Sequence, residues 1–147
     1  MVALSDWRNM QINVQLDEGA YLPERAHPTD AGADLRTPID LMLYGHSSFS
    51  VDTGVHIELP HGYYARVASK SGLNVKHDII SEGVIDEGYS GSIVVRLHNL
   101  SKNPHHFAKG DKISQLIIEP VEYASFWQVE SVEGGERGAN GFGSSGI

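Results

Sequence analysis

Apolar and polar positions alternate with a period of two along most of the chain, and helical periodicity is nearly absent. Ile12, Val14 and Leu16 alternate with Gln11, Asn13 and Gln15. Val51, Val55, Ile57 and Leu59 flank a predicted kink at Thr53-Gly54, and Ile93, Val95 and Leu97 alternate with Val94, Arg96 and His98. The run Ile113 to Ile118 predicts a strand buried on both faces, and Val121 to Val129 predicts a further, less regular one. Pro60-His61-Gly62, Glu87-Gly88, Ser90-Gly91, Asn103-Pro104 and Lys109-Gly110-Asp111 supply turn chemistry between these runs. Short strands with turns at such intervals predict an all-β sandwich, jelly roll or barrel. One short helix is expected around Ser71 to His77, with Ser69 or Ser71 as its cap. The polar stretch Glu18 to Thr29, carrying Pro23 and Pro28, reads as a long loop.

The last residues break the pattern. Six of the chain's 16 glycines fall at 134, 135, 138, 141, 143 and 146, and such a segment cannot offset the entropy of folding by itself. A plain linker has no use for Arg137 and Phe142. One cation and one aromatic ring among glycines suit a segment that orders over an anionic, aromatic ligand. The chain is therefore divided into a β domain over 1–133 and a flexible arm over 134–147.

Composition narrows the options. The sequence has 147 residues, enough for one domain with a real core. It has no cysteine, which excludes disulfides, thiol nucleophiles and cysteine-based zinc sites. Its net charge of −8 argues against gripping nucleic acid through many phosphate contacts. Neither a signal peptide nor a membrane span is expected, which points to the cytoplasm, or the host cytoplasm for a viral source. The eight histidines contain no HExxH, and His56 and His98 read as surface or core-edge residues rather than metal ligands.

Five stretches suit a phosphate or nucleotide site. Ala31-Gly32-Ala33-Asp34-Leu35 lets backbone come close and places one carboxylate at a strand start. Ser69-Lys70-Ser71-Gly72-Leu73 turns from a strand into the helix, aiming N–H groups, an ammonium and a hydroxyl at an anion, though without Walker A spacing. Gly83-Val84-Ile85-Asp86-Glu87-Gly88-Tyr89-Ser90-Gly91 ends a strand on an acid able to accept a proton from water, with a ring for a sugar. Gly110-Asp111-Lys112-Ile113-Ser114-Gln115-Leu116 puts Gln115 in an apolar strand, where it must find partners. The fifth stretch is the arm, Arg137 to Gly146.

In this order and spacing, the five stretches resemble the motifs of the trimeric dUTPases. The most specific pieces are the Gly83–Gly91 stretch and Arg137-Gly-x-x-Gly141-Phe142-Gly143-Ser144-x-Gly146. The resemblance implies a jelly-roll homotrimer with shared active sites. It also implies hydrolysis of dUTP to dUMP and pyrophosphate, limiting uracil in DNA and supplying dUMP for thymidylate synthesis. By similarity, Asp86 activates the water that attacks the α-phosphorus, with Gln115 nearby. Gly83, Val84 and Ile85 read uracil through backbone groups, Tyr89 packs under the deoxyribose and Phe142 stacks on the base. Lys70, Ser71, Gly72, Gln115, Arg137, Gly143 and Ser144 bind phosphates, and Asp34 stands near Mg²⁺, acting through water. With the metal, Arg66, Lys70 and Arg137 would balance the triphosphate's charge. Lys70 stands where the family more often has arginine, Asn140 where it usually has glycine, and Ser69 where proline is frequent. No membrane or direct nucleic-acid partner is implied. Two alternatives remain: the related dCTP deaminases, and a β-sandwich module that binds without turnover.

Overall fold

The period-two runs become strands. The computed structural model describes residues 10–143, 145 and 146. Among them are β1 (Asn13–Leu16), β2 (Ala33–Arg36), β3 (Leu41–Leu43), β4 (Ser48–Asp52), β5 (Val55–Glu58) and β6 (Tyr63–Ala68). The helix α1 (Ser71–His77) follows, then β7 (Ile79–Ile85), β8 (Val94–Asn99), β9 (His105–Phe107) and β10 (Lys112–Pro120). A six-stranded antiparallel sheet runs in the order β2-β10-β6-β7-β8-β4, with two small pairs, β1–β5 and β3–β9. This is the all-β, jelly-roll-like arrangement that the alternation predicts.

Because successive side chains point to opposite faces, one half of each run turns inward. In β8, Val95, Leu97 and Asn99 are buried while Val94, Arg96 and His98 are exposed. Val95 and Leu97 join Val51, Val55, Ile57, Val67, Ile79, Phe107 and Ile113 in a single core to which the large sheet and both small pairs contribute. Asn99 is tolerated there because its side chain is fully engaged. Its Nδ2 donates to the carbonyls of Leu43 and Asn103, and its Oδ1 accepts from the Ser101 amide and hydroxyl.

Two local expectations fail. Neither Ser69 nor Ser71 caps α1: the N-cap is Lys70, with no side-chain cap bond. Ser69 Oγ is already committed, accepting from the Ser81 amide at 2.8 Å and donating to the Ser81 carbonyl at 3.0 Å. The expected strand over 121–129 is absent as well. The Val121 amide donates to Gly62 at 2.9 Å, but Tyr123, Phe126, Trp127, Val129 and Val132 are all exposed. Alternation makes a strand only where a neighbour pairs with it, and here none does.

Candidate active site

The strand order delivers the singled-out stretches to two places. The first is the end of β6, where Ser69-Lys70 turns into α1. β10 lies between β2 and β6, so Gln115 stands opposite Asp34 on one side and Ala68 on the other. Gln115 Nε2 donates to the Ser69 carbonyl at 2.8 Å, the partner that a polar residue in this strand requires. Its side chain lies across Gly32, where a Cβ would overlap the Gln115 side-chain oxygen. Glycine's absent side chain is what admits Gln115 there.

Asp34 is only 4% exposed, and both carboxylate oxygens are taken. Lys70 donates to Oδ1, and Lys112 Nζ stands 3.0 Å from Oδ2. Burial pushes this carboxyl up, but the bonds and charges of the two lysines outweigh burial and hold it below its ordinary value. Two ammoniums around one carboxylate leave the cluster net positive. Ser71 and Gly72 open α1 beside it, and amides at a helix start have no intrahelical acceptor. This end of the sheet therefore offers what a phosphate chain needs.

The second place is the turn after β7. The ladder between β7 and β8 ends at Ser81 opposite Leu97. Beyond that point Glu82–Ile85 pairs only with β6, and Val94–Arg96 only with β4. The facing edges of β7 and β8 thus stay open toward each other, with unpaired N–H and C=O groups along both. A cavity of about 240 Å³ fills the gap, lined by Val84, Ile85, Asp86, Tyr89, Ser92, Ile93 and Val94. The Ile85 side chain belongs to the core. Tyr89 crosses the turn above Gly91, where a Cβ would overlap its ring, and its hydroxyl donates to the Ser92 carbonyl at 2.8 Å.

This turn is braced on its far side. Thr53 Oγ1 donates to the Ile93 carbonyl at 2.6 Å, and Ser92 Oγ donates to Asp52. His56 bonds the Ser90 carbonyl through Nδ1 at 2.8 Å and Asp17 through Nε2 at 3.0 Å. The Ser90 bond and then the Asp17 carboxylate raise the His56 pKa. Asp52 is held below its ordinary value, first by Ser92 and then by the Gly54 amide.

One chain does not bring all the expected residues together. Ala68 pairs with Glu82 and Ala65 with Ile85, so Asp86 lies at the opposite end of the β6–β7 ladder from Lys70, Ser71, Gly72 and Gln115. Four residue steps separate Glu82 from Asp86, about 13 Å at a rise of about 3.3 Å each. Phe142 is fully exposed and outside the gap. Arg137 and Gly143 lie in a string of tight turns, with bonds from the Gly138 amide to Gly135, Asn140 to Arg137 and Gly146 to Gly143. Ser144 lies outside the described residues. Arg66, expected to offset phosphate charge, is instead paired with Glu119 at 3.0 Å, which also accepts from the Tyr64 hydroxyl. Lys112, Glu87, Tyr123 and His56 have roles here that sequence reasoning missed. Lys112 and Glu87 lie inside the singled-out stretches Gly110–Leu116 and Gly83–Gly91, a signal that could have found them, whereas Tyr123 and His56 carried none.

Comparison with known proteins points to one family. The dUTPase family model matches residues 18–146. The deoxyuridine 5′-triphosphate nucleotidohydrolase of Thermobifida fusca is 43% identical over 136 residues, covering 90% of this chain and 76% of that protein. A mutant dUTPase of Staphylococcus bacteriophage 80alpha, solved with dUpNHpp, superimposes with a TM-score of 0.86 at 29% identity, covering 93% of this chain and 99% of that one. A mutant dUTPase from phage phi11 of S. aureus, in which a structural Mg(II) ion is coordinated, superimposes with a TM-score of 0.77 at 27% identity, over 85% of this chain and all of the other. With five motifs in order, the matching fold and these likenesses over most of its length, the chain belongs to the dUTPase family.

Proposed function

We propose that the protein hydrolyses dUTP to dUMP and pyrophosphate, with Asp86 as the base that takes a proton from the attacking water. The observation that carries this reading is the turn itself: an exposed carboxylate at the mouth of a gap whose walls are open β edges, beside a pinned tyrosine ring. Open edges present the donors and acceptors that match a pyrimidine's polar edge. A narrow gap refuses a thymine methyl, and cytosine presents the wrong pattern. Tyr89 under the sugar leaves no room for a 2′-hydroxyl. The water oxygen bonds to the α-phosphorus as the bond to the pyrophosphate oxygen breaks, and the water proton passes to Asp86.

The phosphate chain is received by Lys70, Lys112, Ser71, Gly72 and Gln115. Asp86 and Gln115 stand too far apart in one chain to share a phosphorus, which favours a homotrimer with sites built between copies. The exposed run Tyr123, Phe126, Trp127, Val129 and Val132 fits the same reading, since it needs a surface beyond its own chain. The arm over 134–147 then closes a site, Phe142 on the base and Arg137, Gly143 and Ser144 on the phosphates. Asp34 does not fit the expected place beside a metal. Lysine ammoniums hold both its oxygens, and the described residues contain no cluster of three metal-ligating side chains. Magnesium enters in this reading as part of the substrate, on the triphosphate's own oxygens. No helix among the described residues is long and apolar enough to cross a membrane. A cytoplasmic place, beside the nucleotide pool, suits this activity.

Pyrophosphate release from dUTP, dTTP, dCTP and UTP with Mg²⁺ tests the reading. Turnover of dUTP alone, lost by about 10²–10⁴-fold in Asp86→Asn while dUTP still binds, supports it. Ammonia from dCTP would establish the deaminase alternative. Binding with full tolerance of Asp86→Asn would establish the non-enzymatic one.

A further inference from the structure

Glu87 directly follows the proposed base, and its carboxylate collects donors from two distant segments. The Gly62 amide donates to Oε1 at 2.9 Å, His61 Nδ1 stands 3.0 Å from Oε2, and the Tyr123 hydroxyl donates to Oε1. His61 and Gly62 form the turn between β5 and β6, whereas Tyr123 follows β10, at the root of the segment that leads into the arm. A second bond, from the Val121 amide to the Gly62 carbonyl at 2.9 Å, ties the same two segments. The His61 and Tyr123 rings stack at 5.8 Å and 27°. The Tyr123 hydroxyl, then the Gly62 amide and His61, pull the Glu87 carboxyl down to about 2, so it is ionised at neutral pH. Among the described residues no group donates to the Asp86 carboxylate. Its carbonyl accepts from the Tyr89 amide at 3.1 Å, a bond within the turn itself. The aim of Asp86 is therefore set by the turn beneath it. Asp86, Glu87, Tyr123, Tyr64, Val84 and Val121 line one cavity of about 730 Å³.

We propose that Glu87 is a positioning residue, whose carboxylate staples the Asp86 turn to the β5–β6 turn and to the root of the segment that leads into the arm, fixing both the aim of Asp86 and the direction in which that segment departs. Charge-assisted bonds are short and directional, which suits them to setting an orientation. Surface charge pairs add little to stability, so the effect falls on turnover more than on folding.

The inference rests on the reading of Asp86 as base, and Asp86→Asn measured in parallel separates the two. The experiment compares Glu87→Ala, Tyr123→Phe and the double variant by steady-state dUTP hydrolysis and thermal unfolding. Each single change is expected to lower kcat about tenfold, with KM within about twofold and the thermal midpoint nearly unchanged. The double variant is expected to fall no further than the worse single one, because both remove the same bond. Wild-type kcat in both single variants, or losses that multiply, overturns the inference. So does a lowered thermal midpoint with wild-type kcat, since that outcome assigns the staple to folding alone. If Asp86→Asn keeps full turnover, it is the identity of the base that fails.

Discussion

The turn over 86–93 and the chain beyond Pro120, which ends in the arm, carry pieces of one proposed site under opposite physical regimes. The turn is tied to three other segments: Thr53 and Asp52 hold Ile93 and Ser92, His56 holds Ser90, and Gly62 with His61 holds Glu87. Tyr89 has no freedom to search, since Gly91 sits beneath its ring and Ser92 takes its hydroxyl. The chain beyond Pro120 is tied early, at Val121 and Tyr123, after which its apolar side chains stand exposed and short turns replace strands. A group that must aim at one water gains from being fixed before substrate arrives. A cover must open to admit substrate and release product, so its ordering has to be deferred. Rigidity and deferral are thus divided between neighbouring stretches of one chain, meeting at Glu87.

Removing the deferred part breaks this comparison most severely. A chain ending at Glu136 is expected to keep its far-ultraviolet circular dichroism and thermal midpoint, because among the described residues no core residue lies beyond that point. Its kcat/KM for dUTP is expected to fall about 10²-fold, as water enters and the triphosphate loses alignment. Full activity after truncation would reduce the arm to a linker.

Loosening the fixed part has a smaller effect of a different kind. In Gly91→Ala the new methyl overlaps the Tyr89 ring, and crowding of this sort costs about 1–3 kcal/mol if the ring stays or moves the ring if it does not. KM for dUTP is expected to rise about tenfold and discrimination against UTP to fall, because in the proposed site the ring excludes the 2′-hydroxyl. Competitive hydrolysis of dUTP and UTP by the variant reads both effects. Unchanged discrimination would remove Tyr89 from the sugar site.

The fixed part was more legible in the sequence than the deferred part, for a physical reason. The period of two located β8 and its inward residues because burial is decided strand by strand. Gln115 was legible because a polar side chain in an apolar strand must have a partner, and it has Ser69. The Val121–Val129 strand was misread because a strand depends on a neighbour, which the local pattern does not encode. The lysine pair on Asp34 and the donors on Glu87 join residues far apart in the chain: Lys112 meets Asp34 across β2 and β10, and Tyr123 meets Glu87 across 36 positions. Spacing within one stretch contains no trace of such meetings. The separation of Asp86 from Gln115 was likewise invisible until the β6–β7 register was known.

The smallest effect concerns pH, through the brace at His56. Its pKa is raised above the ordinary 6.5, first by the Ser90 carbonyl and then by Asp17. A raised pKa means that the folded state binds the proton more tightly than the unfolded one. The contribution is therefore fully present below about pH 6.5 and is lost as pH rises through the folded value. The protonated ring donates to both Ser90 and Asp17, whereas the neutral ring carries one proton and keeps one donor bond. The thermal midpoint is expected to fall by about a degree or two between pH 6 and pH 9 through this residue, since the pair is solvent-accessible. His56→Gln should flatten that part of the profile without altering the order of substrate preference, as the Thr53, Asp52 and Glu87 tethers remain. A profile of the same slope in the variant would show that another group titrates there. A loss of dUTP selectivity would show that the turn depends on this single histidine rather than on its several tethers together.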